Sequence, residues 1–146
     1  MGLVEEIARV RAGQGDPGRL VGEFRRTALL VPLARGGLMS GHQGGVRWIY
    51  AFTDEEALAR FAVRRGLPAH EELEFLSVLG ARLVDGIVPE LDGPTGVAVD
   101  VADEDGSMLF PPVGGIVPDA VAVDVRADAE AQAQAQANAR AEGARA

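Results

Sequence analysis

The sequence predicts an α+β domain: one mixed or mainly antiparallel sheet of about five or six strands, with three or four helices packed on one face. Three observations predict this class. Apolar residues recur at helical spacing in several segments, short runs of β-branched and aromatic residues lie between them, and glycines and prolines separate the runs. The 146 residues are enough for one domain that buries its own core.

Two helices are predicted at the start of the chain. Residues 3–11 place Leu3, Ile7 and Val10 at helical spacing on one side. Glycines end this helix, and Asp16-Pro17 is typical of a new helix start. Aspartate accepts hydrogen bonds from the unpaired backbone N–H groups there, and proline suits the first helical position. The second helix is predicted to end near residue 26.

A strand, a glycine-rich loop and a second strand are predicted next. Residues 27–34 form a continuous apolar run, and Pro32 has no N–H, so this strand lies at an edge or ends there. Residues 35–45 hold five glycines in eleven positions and are predicted to be loop. Val46–Phe52 is rich in β-branched and aromatic residues, which predicts the central and best buried strand.

The third helix is predicted after this central strand. Thr53 and Glu56 fit a capping box, in which the Thr53 side chain caps the helix and Glu56 reaches back to its first residue. Leu58 and Phe61 form the apolar stripe, and the run Arg64–Gly66 is typical of a helix end.

The rest of the folded chain is predicted to alternate strands with one helix and tight turns. Alternating valines and the dipeptide Asp105-Gly106 indicate a hairpin. One later segment leaves two alternatives open, a last strand or the start of a helix. The predicted segments are strands at 74–79, 96–101 and 107–110, a helix at 81–88 stopped by Pro89, and the undecided segment at 119–125.

The composition changes after residue 126. The segment AEAQAQAQANARAEGARA has no large apolar residue, so we expect a solvated, fraying or disordered tail. The predicted organisation is an N-terminal helix and linker (1–15), a folded domain (16–126) and this tail (127–146). The predicted core consists of Leu29, Val31, Trp48, Tyr50, Phe52, Leu58, Phe61, Leu83, Val84, Ile87, Val97 and Val99.

The composition also excludes several kinds of chemistry. Cysteine and lysine are absent, which excludes disulfides, thiolate metal sites, thiol nucleophiles, Schiff bases and the lysine of a P-loop. The net charge is −8, and residues 71–124 hold 12 acids and one arginine, which argues against nucleic acid and anionic membranes as partners. No apolar run approaches the roughly 20 residues of a membrane span, and no signal-peptide pattern is present, so a cytoplasmic protein is expected.

Several motifs resemble chemical sites but lack essential members. Gly13–Gly18 matches GxGxxG, yet a predicted helix precedes it where a nucleotide site needs a strand. His42 and His70 lack zinc-site spacing, and no serine lies in a nucleophile elbow. The acidic run 103–106 lacks both end ligands of a calcium loop, which leaves an acidic hairpin tip. We therefore expect no catalytic residues, no metal and no cofactor; a hydrolase using His42 is the least favoured alternative.

The string GHQGGVRWIYAFTDEEALARFA, followed by FLSVLGARLVDGIV, GVAVDVA and LFPP, resembles the SseB family, in the N-terminal-domain form common in actinobacteria. The junction Ala51–Leu58 carries most of the similarity, and Leu30–Leu33 also matches; the resemblance covers about residues 16–125. It implies an α+β domain with no established enzyme activity and no catalytic residues to transfer. The chain departs from the family at Val99–Val101, where many members carry Asn-Pro, and many members continue into a second domain that is not part of this sequence.

Two functions are predicted. The first is a non-enzymatic protein-interaction or regulatory module whose acidic surface attracts a basic partner protein. Its gene is one that could belong to a secretion or toxin-immunity locus. The second is a small-molecule sensor that binds an amino acid in a pocket bounded by the glycine-rich segment and Trp48. The candidate residues for partner or ligand contact are Arg35, Gly41, His42, Gln43, Gly44, Trp48, Asp103, Glu104 and Asp105.

Overall fold

The computed structural model describes residues 2–67 and 73–145. Its helices are α1 (Leu3–Arg11), α2 (Pro17–Arg26), α3 (Glu55–Arg64), α4 (Gly80–Arg82) and α5 (Val123–Arg145). Its strands are β1 (Ala28–Ala34), β2 (Gly37–Leu38), β3 (Ser40–Gln43), β4 (Val46–Ala51), β5 (Phe75–Leu79), β6 (Thr95–Val99) and β7 (Met108–Phe110). A π-helical turn (Leu83–Ile87) and a 3-10 turn (Val88–Glu90) continue α4, and another 3-10 turn (Asp119–Val121) precedes α5.

The α+β class is confirmed, but the strands form two sheets where one was predicted. A three-stranded antiparallel sheet has the order β2-β1-β5, and a four-stranded mixed sheet has the order β3-β4-β6-β7, in which β4 and β6 run parallel. The two sheets meet at one bridge between Leu30 and Phe52, whose backbone groups exchange two hydrogen bonds of 2.8 Å.

Pro32 explains why the ladder between β1 and β4 stops at this bridge. Pro32 lies two residues beyond Leu30, so its backbone faces the β4 side of β1, and it has no N–H to donate there. Its carbonyl instead accepts from Met39 N, and Tyr50 N in β4 donates to Met39 O. The prediction that Pro32 marks an edge or the end of its strand is wrong, because β1 continues to Ala34 between two partner strands.

Helices cover both faces of the strands, which corrects the predicted arrangement on one face. One core cluster joins α1, α2 and the segment after α4 to one face of both sheets, and Phe24 stacks on Phe110 there with ring centroids 4.2 Å apart. A smaller cluster on the opposite face packs Leu58 and Phe61 of α3 against Phe52. Because side chains alternate along β4, neighbouring residues of one strand serve the two clusters.

Most of the predicted core is buried as expected, with three exceptions. Trp48, Tyr50 and Ile87 are half-buried. The best buried strand is β6, in which every residue is buried, whereas β4 is buried only at Ile49 and Ala51. The second face of β4 is covered by α3 at one end only, and this incomplete cover leaves a groove beside the helix.

Helix starts are partly as predicted. Asp16 caps α2, with its Oδ1 accepting from Gly18 N at 3.0 Å. The cap of α3 is Asp54, whose Oδ1 accepts from Ala57 N at 2.8 Å, so the predicted capping box at Thr53 is wrong. The Thr53 side chain is engaged elsewhere, because its hydroxyl donates to buried Asp100.

Other predicted segments need smaller corrections. Residues 35–45 are largely strand rather than loop, since they contain β2 and β3. The predicted helix over 81–88 is α-helical only to Arg82 and then widens into the π-helical turn. Of the two alternatives at 119–125, the helix start is confirmed. The predicted tail belongs to α5, whose side chains are exposed from Arg126 to Ala141, and its fraying in solution stays a prediction.

Candidate functional site

A groove of about 400 Å³ opens on the second face of the four-stranded sheet, beside α3. The helix has ten residues and covers only the end of the sheet near Phe52. The face formed by β3, β4, β6 and β7 beyond that helix is left uncovered. The residues around this groove are Gly41, His42, Gln43, Trp48, Tyr50, Phe61, Arg64, Arg65, Ala98, Val101, Ala102 and Leu109.

The floor of the groove is aromatic because two glycines leave room for large rings. Trp48 in β4 lies opposite Gly41 of β3 on one side and opposite Gly96 of β6 on the other. A Cβ atom on residue 96 would lie only 2.7 Å from Trp48 Cζ3. A Cβ atom on residue 41 would overlap the Tyr50 hydroxyl. The missing side chains therefore let both rings lie against the neighbouring strands.

Hydrogen bonds hold these two rings in place. Trp48 Nε1 donates to the Gln43 carbonyl at 3.3 Å. The Tyr50 hydroxyl accepts from Arg65 Nη2 at 3.0 Å, and the Tyr50 and Phe61 ring centroids are 5.1 Å apart. The groove thus has a flat, half-exposed aromatic surface whose orientation is fixed before any ligand arrives.

Two arginines give the α3 side of the groove a positive charge. The Arg65 guanidinium lies 5.3 Å from the Tyr50 ring centroid and 5.1 Å from that of Phe61, which is cation–π distance. Arg64 borders the groove and is exposed, and the described residues include no carboxylate in a salt bridge with it. The charge of Arg64 contributes to the lowered pKa of Asp103, but Arg64 makes no direct ion pair with it. Arg64 is therefore the groove arginine with a guanidinium open to an anionic ligand group, while Arg65 is already engaged with the aromatic rings.

The acidic turn after β6 (residues 100–105) borders the groove through Val101 and Ala102, and two of its acids are paired within the protein. Asp100 is buried and accepts from Thr53 N at 2.9 Å and from Thr53 Oγ1 at 2.7 Å. Burial raises the pKa of the Asp100 carboxyl, and the two hydrogen bonds from Thr53 oppose this shift. Asp103 accepts from Arg60 at 2.6 and 2.9 Å, and this contact lowers the pKa of its carboxyl.

The outer part of this turn remains exposed on a fixed backbone. Arg11 of α1 donates to the Ser107 carbonyl at 2.8 Å and to the Glu104 carbonyl at 2.7 Å. The side chains of Glu104 and Asp105 are exposed. Of the acids predicted to form a contact surface, Asp103 is thus in an ion pair, and Glu104 and Asp105 are the two that face solvent.

The structure brings together four of the predicted contact residues and separates the others. Gly41, His42, Gln43 and Trp48 all border the groove. Residues paired directly across antiparallel strands share a face, so the His42 side chain lies with Arg47 on the face opposite Trp48. The remaining candidates lie away from the groove: Arg35 and Gly44 in the turns that flank β2 and β3, and Asp103, Glu104 and Asp105 in the acidic turn.

Sequence reasoning missed the other eight residues of the groove, including the two arginines and two of the three aromatic residues. Tyr50 and Phe61 were assigned to the core, and Arg64 and Arg65 were interpreted only as a helix end. The sequence did contain one signal: β4 has more apolar residues on its second face than a single ten-residue helix can cover. His70, whose sequence spacing does not fit a zinc site, lies outside the described residues.

In residues 2–67 and 73–145, no group of three or more histidine, aspartate or glutamate side chains is arranged to hold a metal ion. None of the described helices has both the length and the apolar composition needed to cross a membrane. Comparison with protein-family models, with curated proteins and with solved structures finds no match to this chain.

Proposed function

We propose that the protein is a non-enzymatic binding module whose groove holds a small aromatic carboxylate, such as an aromatic amino acid or its deaminated analogue. The observation that carries this proposal is the flat surface of Trp48 and Tyr50 ending at the exposed Arg64. This is the second of the two functions predicted from the sequence, with its ligand narrowed from amino acids in general. Membership of the SseB family and a cytoplasmic location remain proposals alongside it.

The size and chemistry of the groove support such a ligand. A volume of about 400 Å³ lies in the range of small-molecule sites, most of which are apolar with a few fixed polar groups. An aromatic body can stack on Trp48, and aromatic contacts contribute roughly 0.5–1.5 kcal/mol beyond the area they bury. A carboxylate reaches Arg64, whose planar guanidinium donates two parallel hydrogen bonds to that group.

Titration of Trp48 fluorescence tests the proposal, because Trp48 is the sole tryptophan of the chain. The probes are phenylalanine, 3-phenylpropionate, serine and phenylethylamine. We expect saturable changes with the first two, a stronger response to 3-phenylpropionate because it has no ammonium group near Arg64, and no saturation with serine or phenylethylamine. A flat titration with both aromatic carboxylates would sink the proposal.

Replacing Arg64 with glutamine should weaken binding of 3-phenylpropionate about tenfold, since a partly exposed charge-assisted hydrogen bond contributes on the order of 1–2 kcal/mol. Arg19→Gln is the matched control, because it removes one exposed positive charge from α2 instead of α3. Equal affinities of the two variants, measured by the same fluorescence titration, would show that Arg64 does not bind the carboxylate.

A second candidate function is contact with a basic partner protein through the acidic turn. The observation that favours it is the anchoring of this turn by Arg11 and Arg60, which presents Glu104 and Asp105 on a fixed backbone. This is the interaction or regulatory role predicted first from the sequence, and a link to a secretion or toxin-immunity locus stays with it as a proposal.

The double variant Glu104→Gln/Asp105→Asn tests this second candidate in a pull-down from native lysate. We expect loss of a partner that wild type retains at low salt and releases at high salt, because exposed charges act mainly through screened, long-range attraction. Glu55→Gln/Glu56→Gln on α3 is the control for net charge. If both double variants retain the same partners equally, the acidic turn is not the contact surface.

A further inference from the structure

Strand β5 forms an exposed apolar edge of the three-stranded sheet. It is the terminal strand in the order β2-β1-β5, and within residues 2–67 and 73–145 no strand pairs with its outer edge. Three of its five side chains are large, apolar and well exposed: Phe75 at 38%, Leu76 at 48% and Leu79 at 50%. Exposed apolar residues that cluster on one strand edge are unusual for a surface that meets only water.

The hydrogen-bond register shows which backbone groups face outward. Leu33 N donates to Glu74 O, and Gly80 N donates to Thr27 O, so the even-numbered residues of β5 direct their backbone groups to β1. The odd-numbered residues Phe75, Ser77 and Leu79 therefore direct their N–H and C=O groups away from the sheet. These six groups form a regular ladder with no bulge.

The edge also lacks the features by which proteins prevent strand pairing. Residues 75–79 contain no charge, no proline and no glycine. Natural edge strands that must stay unpaired usually carry a lysine, a proline or a bulge. Strand β5 is uncharged although the whole chain has a net charge of −8. Two copies can therefore approach along this strand without placing like charges opposite each other.

We propose that β5 pairs with β5 of a second copy of this chain, antiparallel, around a two-fold axis at Ser77. In this register Phe75 of each copy lies opposite Leu79 of the other, and Ser77 lies opposite its own equivalent. All outward groups of the odd-numbered residues then pair, which gives six hydrogen bonds, and the exposed Phe75 and Leu79 side chains cover one another. Glu74 lies opposite Gly80 of the second copy, so no two acids meet.

The register follows from the strand itself. Shifting the pairing register by one residue would place even-numbered residues, whose backbone groups already bond to β1, opposite the odd-numbered ones. Shifting it by two, which moves the axis to Leu76 or Val78, would leave Leu79 or Phe75 without a partner within β5. The dimer is expected to be weak, with a dissociation constant in the micromolar range, because one short strand buries less than the roughly 1,200 Å² of a stable interface.

Sedimentation velocity of the full chain across a concentration series tests the proposal. Wild type should show a monomer–dimer equilibrium, and Ser77→Glu and Ser77→Arg should each raise the dissociation constant by at least about tenfold, because each puts like charges opposite each other at the axis. An equimolar mixture of the two variants should dimerise again, since glutamate then lies opposite arginine. Ser77 is exposed, so both variants are expected to fold.

Val63→Glu is the matched control, because it adds the same charge at an exposed position on α3. It should leave dimerisation unchanged. Wild type that remains monomeric throughout, or dimers that survive both Ser77 substitutions, would overturn the proposal. Failure of the mixture to associate would overturn the two-fold register. The groove lies on the other sheet, so these outcomes are independent of ligand binding there.

Discussion

Replacing Asp100 with alanine is expected to lower the free energy of unfolding by roughly 2–4 kcal/mol, because the change leaves two part-buried donors of Thr53 unpaired and a strained backbone unsupported. The Asp100 carboxylate accepts both the backbone N–H and the hydroxyl of Thr53. It thereby ties the end of β6 to the junction between β4 and α3. Asp100 also has a φ of 52°, a conformation that alanine adopts less readily than aspartate or asparagine.

Asparagine at the same position separates these contributions. Asp100→Asn keeps an acceptor for Thr53 N and tolerates the left-handed conformation, so we expect a cost of only about 1 kcal/mol. Urea denaturation of wild type and both variants, followed by circular dichroism, gives the comparison. Similar midpoints for the alanine variant and wild type would show that the contact between Asp100 and Thr53 does not stabilise the fold.

The same residue should make stability depend on pH. Burial raises the pKa of Asp100 above its usual 3.8, with smaller contributions from the charges of Asp103 and Asp54. The folded chain therefore binds this proton more tightly than the unfolded chain does, and the resulting stabilisation is complete below pH 3.8 and is lost as the pH rises through the folded-state pKa. Asp103 acts in the opposite sense, because the hydrogen bond from Arg60 lowers its pKa and its stabilisation is lost on acidification.

Asp100→Asn removes the first of these two titrations and leaves the second. The stability of wild type relative to Asp100→Asn should accordingly improve as the pH falls from neutral towards 3.8. Urea midpoints of the two proteins across this range provide the measurement. A constant difference would mean that Asp100 titrates alike in the folded and unfolded chains.

The local elements were predictable because their signals lie within a few residues of one another. The spacing of apolar residues in α1, the Asp16-Pro17 start of α2 and the valine alternation in β6 each reflect a single helix turn or strand pleat. The choice of cap at α3 was missed because Thr53 and Asp54 are both good caps. A residue 47 positions away decides between them, since Asp100 occupies the Thr53 hydroxyl.

The arrangement of strands was not predictable because it depends on which way backbone groups face. Pro32 was recognised as a missing donor, yet its effect depends on the side of β1 that lacks the N–H, and only strand pairing reveals that side. Glu6 is a similar case. A carboxylate in the first turn of a helix is expected to be solvated, but packing of α1 on the core buries Glu6 to 3% exposure.

The groove was predictable only in part, because it also depends on strand pairing between distant segments of the chain. The proximity of Trp48 to the glycine-rich segment was visible in the sequence, and four of the predicted contact residues do border the groove. The contribution of Gly96 was not visible, because it comes from a strand 48 residues further along the chain that pairs in parallel with β4. Parallel pairing depends on a long connection and leaves no turn motif for the sequence to show.

Gly96 is also where a single methyl group should have the largest effect on the groove. In Gly96→Ala, the new Cβ would lie 2.7 Å from both Trp48 Cζ3 and the Phe110 carbonyl oxygen, closer than side chains pack. To relieve the first contact we expect Trp48 to tilt off the sheet and lose its hydrogen bond to the Gln43 carbonyl. The contact with the Phe110 carbonyl is with backbone, so the pairing of β6 with β7 must also shift locally, and we expect a total cost of about 3 kcal/mol or more.

Loss of the flat indole surface should weaken binding of 3-phenylpropionate at least about tenfold, because the ligand loses most of its stacking contact. The emission of Trp48 in the absence of ligand should also shift to longer wavelength as the ring becomes more exposed. Gly86→Ala is the matched control, since a Cβ there meets no atom closer than 3.9 Å and should change neither quantity. An unshifted emission with unchanged affinity in Gly96→Ala would mean that the ring does not depend on the glycine beneath it. Shifted emission with unchanged affinity would place the ligand elsewhere and remove the carboxylate-binding function from this groove.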